Sequence, residues 1–212
     1  MSDHLQNELK KEFQLERMIL FSDAVFAIAI TLLVLEIRVP AVDRHIATDA
    51  LLAHSLDELV PKFIGFLVSF FMIGLYWTVH HRMFGYVINY TPRLLWLNLI
   101  FLLAVVLMPF SSGFYSEYVL RQLRLPVLIY VLNLVFLGVM HFILWLYISR
   151  PGSGLTTGIT PELKRYYNLR ALVSPTMFLL MACLYLFVRP GFSLMGAGLN
   201  STNSARRKKI CL

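Results

Sequence analysis

Charge is the scarce commodity in this chain. Only 15% of its 212 residues are Asp, Glu, Lys or Arg, while 58% are hydrophobic. A soluble domain of this length carries about 25% charged residues. With a mean hydropathy of +0.69, a water-soluble globule is excluded. Cysteine is equally sparse. Cys183 lies in an apolar run and Cys211 near the end, which gives neither a disulfide framework nor a metal-ligand spacing. Catalytic signatures are missing too: there is no His-Glu-x-x-His, no Gly-x-Ser-x-Gly and no phosphate loop. His80, His81 and His141 have no Cys or acidic partners at ligand spacing. No enzyme, no cofactor and no resident metal are expected. The net charge of +7 does not call for nucleic acid, because Lys and Arg sit in loops and in the tail, where they anchor and orient spans.

What the chain has is long apolar runs. Several approach twenty residues, enough at about 1.5 Å per residue to cross a roughly 30 Å hydrocarbon core. The reading is all-α, a polytopic transmembrane helical bundle with the lipid bilayer as its solvent. Residues 1–16 form a polar cytoplasmic arm, 17–188 the transmembrane domain and 189–212 a weakly apolar to basic tail. Five spans are expected at about Met18–Ile37, Lys62–Val79, Leu94–Phe110, Pro126–Ile148 and Arg170–Val188. The first is too long for a signal-peptide core and is read as retained. Arg150-Pro151-Gly152-Ser153-Gly154 breaks the chain after the fourth span. Gly-rich 189–199 is too short for a sixth, and no internal repeat is visible.

Loop charge sets orientation. A cytoplasmic N-terminus places Lys10, Lys11, Arg17, Arg82, Arg93, Arg150, Lys164, Arg165 and Arg170 inside, and Arg38, Arg44, Lys62, Arg121 and Arg124 outside. The bias favours that sense. The tail run Arg206-Arg207-Lys208-Lys209 conflicts with it, since five spans would leave it outside.

The first span carries the most information. Ile28, Thr31, Leu32 and Leu35 recur at i, i+3, i+4 and i+7 and form one stripe. Such a stripe marks either a packed bundle face or, with one copy from each subunit, the wall of a pore. In a pore, rings of Ile and Leu would make an apolar constriction able to gate by dewetting. Potassium passing near Thr31 would meet a ring of hydroxyl oxygens. No Thr-Val-Gly-Tyr-Gly loop exists, so selectivity would rest on side chains of a continuous helix. Arg17 and Asp23 stand at the entry to this span, and ionisable groups there call for partners. Six residues apart, they do not share a face. Glu36 and Asp23 are too distant to share a proton.

Arg17, followed by Phe21-Ser22-Asp23 and then by the Ile/Thr/Leu helix, resembles the opening helix of the transmembrane protein 175 family. The Tyr76-Trp77-Thr78-Val79-His80 segment and Asn98 to Phe110 resemble that family as well. The family includes potassium-permeable channels of endolysosomal membranes and their prokaryotic homologues. The resemblance implies a potassium channel subunit whose first helix lines a central pore. It implies the main constriction at Ile28, further layers at Thr31 or Leu32 and then at Leu35, and six spans per repeat. A single-repeat member implies a homotetramer, in the plasma membrane of a prokaryote. Asp23 as acceptor and Arg17 as donor, with Trp77, His80 and Asn98, form an expected polar cluster that holds the first helix in place. His81 lies on the same membrane side, but His80 is preferred for its Trp77-x-x-His80 spacing, and interfacial snorkelling is the alternative for both histidines. Two other functions stay open. A secondary transporter would need broken helices near the midplane, for which Pro175 and Gly138 are thin hints. A non-conducting membrane scaffold would make every stripe a packing surface.

Overall fold

The computed structural model describes residues 2–43, 45–118, 121 and 123–188. The basic tail, Cys211 and the segment 189–199 in which a sixth span was sought lie outside the described residues. The described chain is helical throughout: α1 (Ser2–Leu32), α2 (Asp49–Asp57), α3 (Val60–Phe84), α4 (Pro92–Val106), α5 (Met108–Tyr118), α6 (Arg124–Ile148) and α7 (Pro161–Val188). Five helical stretches are long and apolar enough to cross a membrane: Glu8–Glu36, Val60–Phe84, Pro92–Tyr118, Arg124–Ile148 and Pro161–Tyr185.

Each span begins earlier or runs further than hydropathy alone indicates. The arm expected at 1–16 is continuous with the first span, as one 31-residue helix. Its last turn tightens into a 3-10 helix at Leu33–Glu36 and stops at extended Ile37. Thr91 caps α4 by accepting from the Leu94 N–H at 3.2 Å, with Pro92 just inside. Pro109, near the end expected for the third span, instead marks a joint. Proline offers no N–H to the carbonyl four residues back, and α4 gives way to α5 at Leu107. The two continue as one span to Tyr118. Exposed α2, capped by Thr48, buries no residue.

The α6 helix is the hub, packing against α4, α5 and α7, while α1 packs against α3 and α4. The α6–α7 loop turns through Gly152, Gly154 and Gly158, with φ of 71°, 65° and 76°, a region open to glycine at little cost. It then ties to the α3–α4 connection: Ile88 N–H donates to Leu155 O at 2.8 Å and Thr157 N–H to Tyr86 O at 3.1 Å.

Close helix approach explains one glycine. A Cβ on Gly138 of α6 would lie 3.0–3.1 Å from Pro175 of α7 and 3.1 Å from the Tyr76 hydroxyl of α3. Tyr76 and Ser174 hydroxyls share a hydrogen bond of 2.6 Å beside it. Gly138→Val should therefore overpack the α3–α6–α7 junction and cost about 1–3 kcal/mol, read as a lower melting temperature. Gly74→Ala on α3, where a Cβ meets nothing within 4 Å, should be neutral or stabilising by up to about 1 kcal/mol.

Candidate pore-lining helix and its polar anchor

Two faces of α1 have opposite surroundings. Met18, Ser22, Phe26, Ala29 and Leu33 are buried against the rest of the chain. Their spacing of four, four, three and four residues is one helical face. The opposite face is bare. Ile28 is 58% exposed, Leu32 39% and Leu35 68%, and Thr31 and Phe21 are exposed as well. Ile28, Thr31, Leu32 and Leu35 thus do not pack inside the chain's own bundle. The Thr31 hydroxyl donates to the Ile28 carbonyl at 2.9 Å. That bond uses its proton and leaves oxygen lone pairs free.

A polar triad fixes the buried face. Ser22 Oγ donates to the Met18 carbonyl at 2.8 Å. Asn98 Nδ2 of α4 donates to Ser22 Oγ at 2.8 Å. Asn98 Oδ1 lies 2.9 Å from His80 Nε2 of α3, which must carry the proton for the amide oxygen to accept. Ser22, His80 and Asn98 are almost fully buried, so each bond joins groups that have no water to turn to. Aromatic rings enclose the triad. His80 stacks on Phe101 at 5.3 Å with an interplanar angle of 6°, lies 4.3 Å from Phe84 and meets Phe26 at 5.5 Å.

A second tie runs beside it. Trp77 Nε1 of α3 donates to Asp23 Oδ1 at 2.9 Å. The one-residue step from Ser22 to Asp23 sends the two ties to different neighbours, Asn98 and Trp77. His81 is exposed and sits against Trp77 with ring centroids 5.7 Å apart, so of the two histidines only His80 joins the triad. Arg17 departs from expectation. Its guanidinium lies 5.7 Å over the Phe13 ring on the exposed side of α1 and donates nothing to the cluster within the protomer. The physical reason is rotational: a six-residue offset turns Arg17 away from the face that Ser22 and Asp23 use.

One polar network escaped sequence reasoning. Ser69 Oγ donates to Ser112 Oγ at 2.6 Å and lies 3.1 Å from the Tyr130 hydroxyl. Asn133 Nδ2 donates to Ser111 Oγ at 2.9 Å. These bonds join α3, α5 and α6 in their buried interior, as polar residues do between membrane helices. The signal available was Asn133 alone, a costly side chain at mid-span.

A family model described as the endosomal/lysosomal potassium channel TMEM175 matches residues 17–109, which hold α1 from Arg17 onward, α3, α4 and both ties to α1. A protein of Streptomyces collinus named a potassium channel is 37% identical over 134 residues, 62% of this chain and 63% of that protein. A second so named, from Chamaesiphon minutus, is 35% identical over 139 residues, 65% of this chain and 68% of its own length. The chain belongs to the TMEM175 family. The crystal structure of a lysosomal potassium-selective channel TMEM175 homologue from Chamaesiphon minutus superposes with a TM-score of 0.72 at 29% identity, covering 83% of this chain and 88% of that one. The TMEM175 likeness thus extends beyond the matched segment to most of the described helices, and the chain is a multi-pass integral membrane protein.

Proposed function

We propose that this chain is the subunit of a potassium-permeable cation channel, in which four copies set their α1 helices around a common axis. Transport and not catalysis is its task. The observation that carries this reading is the bare stripe of Ile28, Thr31, Leu32 and Leu35 on a helix whose other face is locked by Ser22–Asn98–His80 and Asp23–Trp77. A helix anchored so firmly on one side can turn its apolar face to lipid or to a second protein surface. Identical neighbours in a closed ring supply such a surface. Around the axis Ile28 would form the narrow apolar ring, Thr31 or Leu32 the next layer with hydroxyl oxygens for a partly dehydrated ion, and Leu35 the last. The polar cluster would hold α1 in register and take no part in ion passage. The charge bias of the loops supports a cytoplasmic N-terminus, and the bacterial relatives support a prokaryotic plasma membrane.

Two measurements on purified protein test this. Native mass spectrometry should show a tetramer, and planar bilayers in potassium chloride should show unitary current steps with a reversal potential set by cations. Monomer alone with silent bilayers would refute the channel. Slow saturable flux without unitary steps would favour a transporter.

A further inference from the structure

We propose that Glu36 offsets basic charge at the end of the ion path beyond Leu35, so that this mouth does not repel cations. The inference rests on the pore reading and names a residue which that reading does not use. Glu36 follows Leu35 directly and ends the 3-10 turn Leu33–Glu36, which is closed by the Ile37 N–H donating to Val34 O at 3.1 Å. The tight winding holds its backbone beside the last apolar layer.

Two features of α3 and α5 then decide where its carboxylate goes and what it does. The first is Gly113. A Cβ there would stand 2.6 Å from Glu36 Cδ and 2.9 Å from Cγ, so the acidic side chain occupies space that only glycine leaves. The second is a division of charge. Glu36, Arg38, Lys62 and Glu117 line one open depression together with Phe110, Phe114 and Tyr118. Lys62 Nζ is committed to Glu117, at 2.6 Å. No ion pair reaches Glu36 among the described residues. With Lys62 paired to Glu117, Glu36 is left to set against Arg38 among the described residues, and the four charges of the depression sum to zero in each protomer. Without Glu36 the depression keeps Arg38 and a neutralised Lys62–Glu117 pair, which leaves the mouth basic. Fixed charge at a pore entrance raises the local concentration of the opposite ion, and the effect fades as salt screens it.

Unitary currents of the full-length channel in planar bilayers, in symmetric potassium chloride from about 10 mM to about 1 M, test this, because the Debye length falls from about 30 Å to about 3 Å over that range. Glu36→Gln should lower conductance about two- to fivefold at the low end and leave it almost unchanged at the high end. It should also move the reversal potential in a chloride gradient toward chloride. Glu36→Asp, which keeps the charge, should retain most of the low-salt conductance. Gly113→Ala, which keeps the charge but evicts the carboxylate from its seat, should fall between wild type and Glu36→Gln. Equal conductance of Glu36→Gln and wild type at every salt would overturn the proposal, and so would a loss of the same size at low and high salt, which marks a structural defect. A wild-type protein without unitary currents would remove the pore reading and this inference with it.

Discussion

Replacing Asn98 with Leu is expected to cost more stability than any other single change at the α1 anchor. Leu keeps the branched shape of Asn but is larger, so the substitution removes the hydrogen bonds and crowds groups that Asn98 holds at 2.8 and 2.9 Å. Asn98 sits at the centre of the triad and serves both Ser22 and His80. Ser22 keeps its bond to the Met18 carbonyl, so the stranded partner is His80, enclosed by Phe26, Phe84 and Phe101. An unsatisfied buried polar group costs about 1–3 kcal/mol. Lost bonds between membrane helices average about 0.6 kcal/mol. Together these give about 2–3 kcal/mol, visible as a lower melting temperature in size-exclusion assays of detergent-solubilised protein. Asp23→Ala should cost less, about 1 kcal/mol, because Asp23 is half-buried and its one hydrogen-bond partner among the described residues is Trp77. The double variant Asn98→Leu/His80→Phe should recover part of the loss, since it removes the stranded group as well. If Asn98→Leu melts with the wild type, the triad does not hold α1.

The sequence stated which residues of α1 share a face, and the structure keeps that geometry. Spacing is silent, however, on which face turns inward, and this is why the stripe at Ile28 could be read as core. The answer depends on partners far along the chain. Asn98 is 76 residues from Ser22, and no local pattern pairs them. What brought Trp77, His80 and Asn98 together in advance was their shared membrane side in the expected topology, which does not say which of them bond.

Span ends were legible only coarsely for a related reason. His80, His81 and Arg82 read as an exit because polar residues usually end a span. In α3 they point different ways: His80 goes into the triad, while His81 and Arg82 remain exposed, and the helix continues to Phe84. Of the residues in the Ser69–Ser112–Tyr130 and Ser111–Asn133 bonds, only Asn133 gave any sign in sequence. A serine can satisfy itself on its own helix, as Ser22 also does on Met18, and so gives no sign that it bonds elsewhere.

Ile28→Asn is expected to produce the largest functional change. Ile28 projects from the bare face of α1, and four copies around an axis would close the path with methyl groups. An apolar constriction resists water by its bore and its polarity together. Asn is shorter and hydrogen-bonds water, so it relaxes both. Unitary current should rise severalfold, and the potassium-to-sodium permeability ratio should fall by about threefold or more, because hydrated sodium no longer meets a dry ring. Folding should be almost unaffected, since Ile28 lies outside the buried face of its own protomer. Leu33 supplies the opposite case on the same helix. It is 1% exposed, so Leu33→Ala should cost about 2–5 kcal/mol through the cavity it leaves while any channel that still assembles keeps its ion preference. Half-buried Val25 serves as a second packing control. Bi-ionic reversal potentials and melting temperatures measured on the same preparations separate the two behaviours. If Ile28→Asn lowers the melting temperature as Leu33→Ala does and leaves the permeability ratio alone, the bare face of α1 is a packing surface between subunits, and the constriction must be sought on another helix.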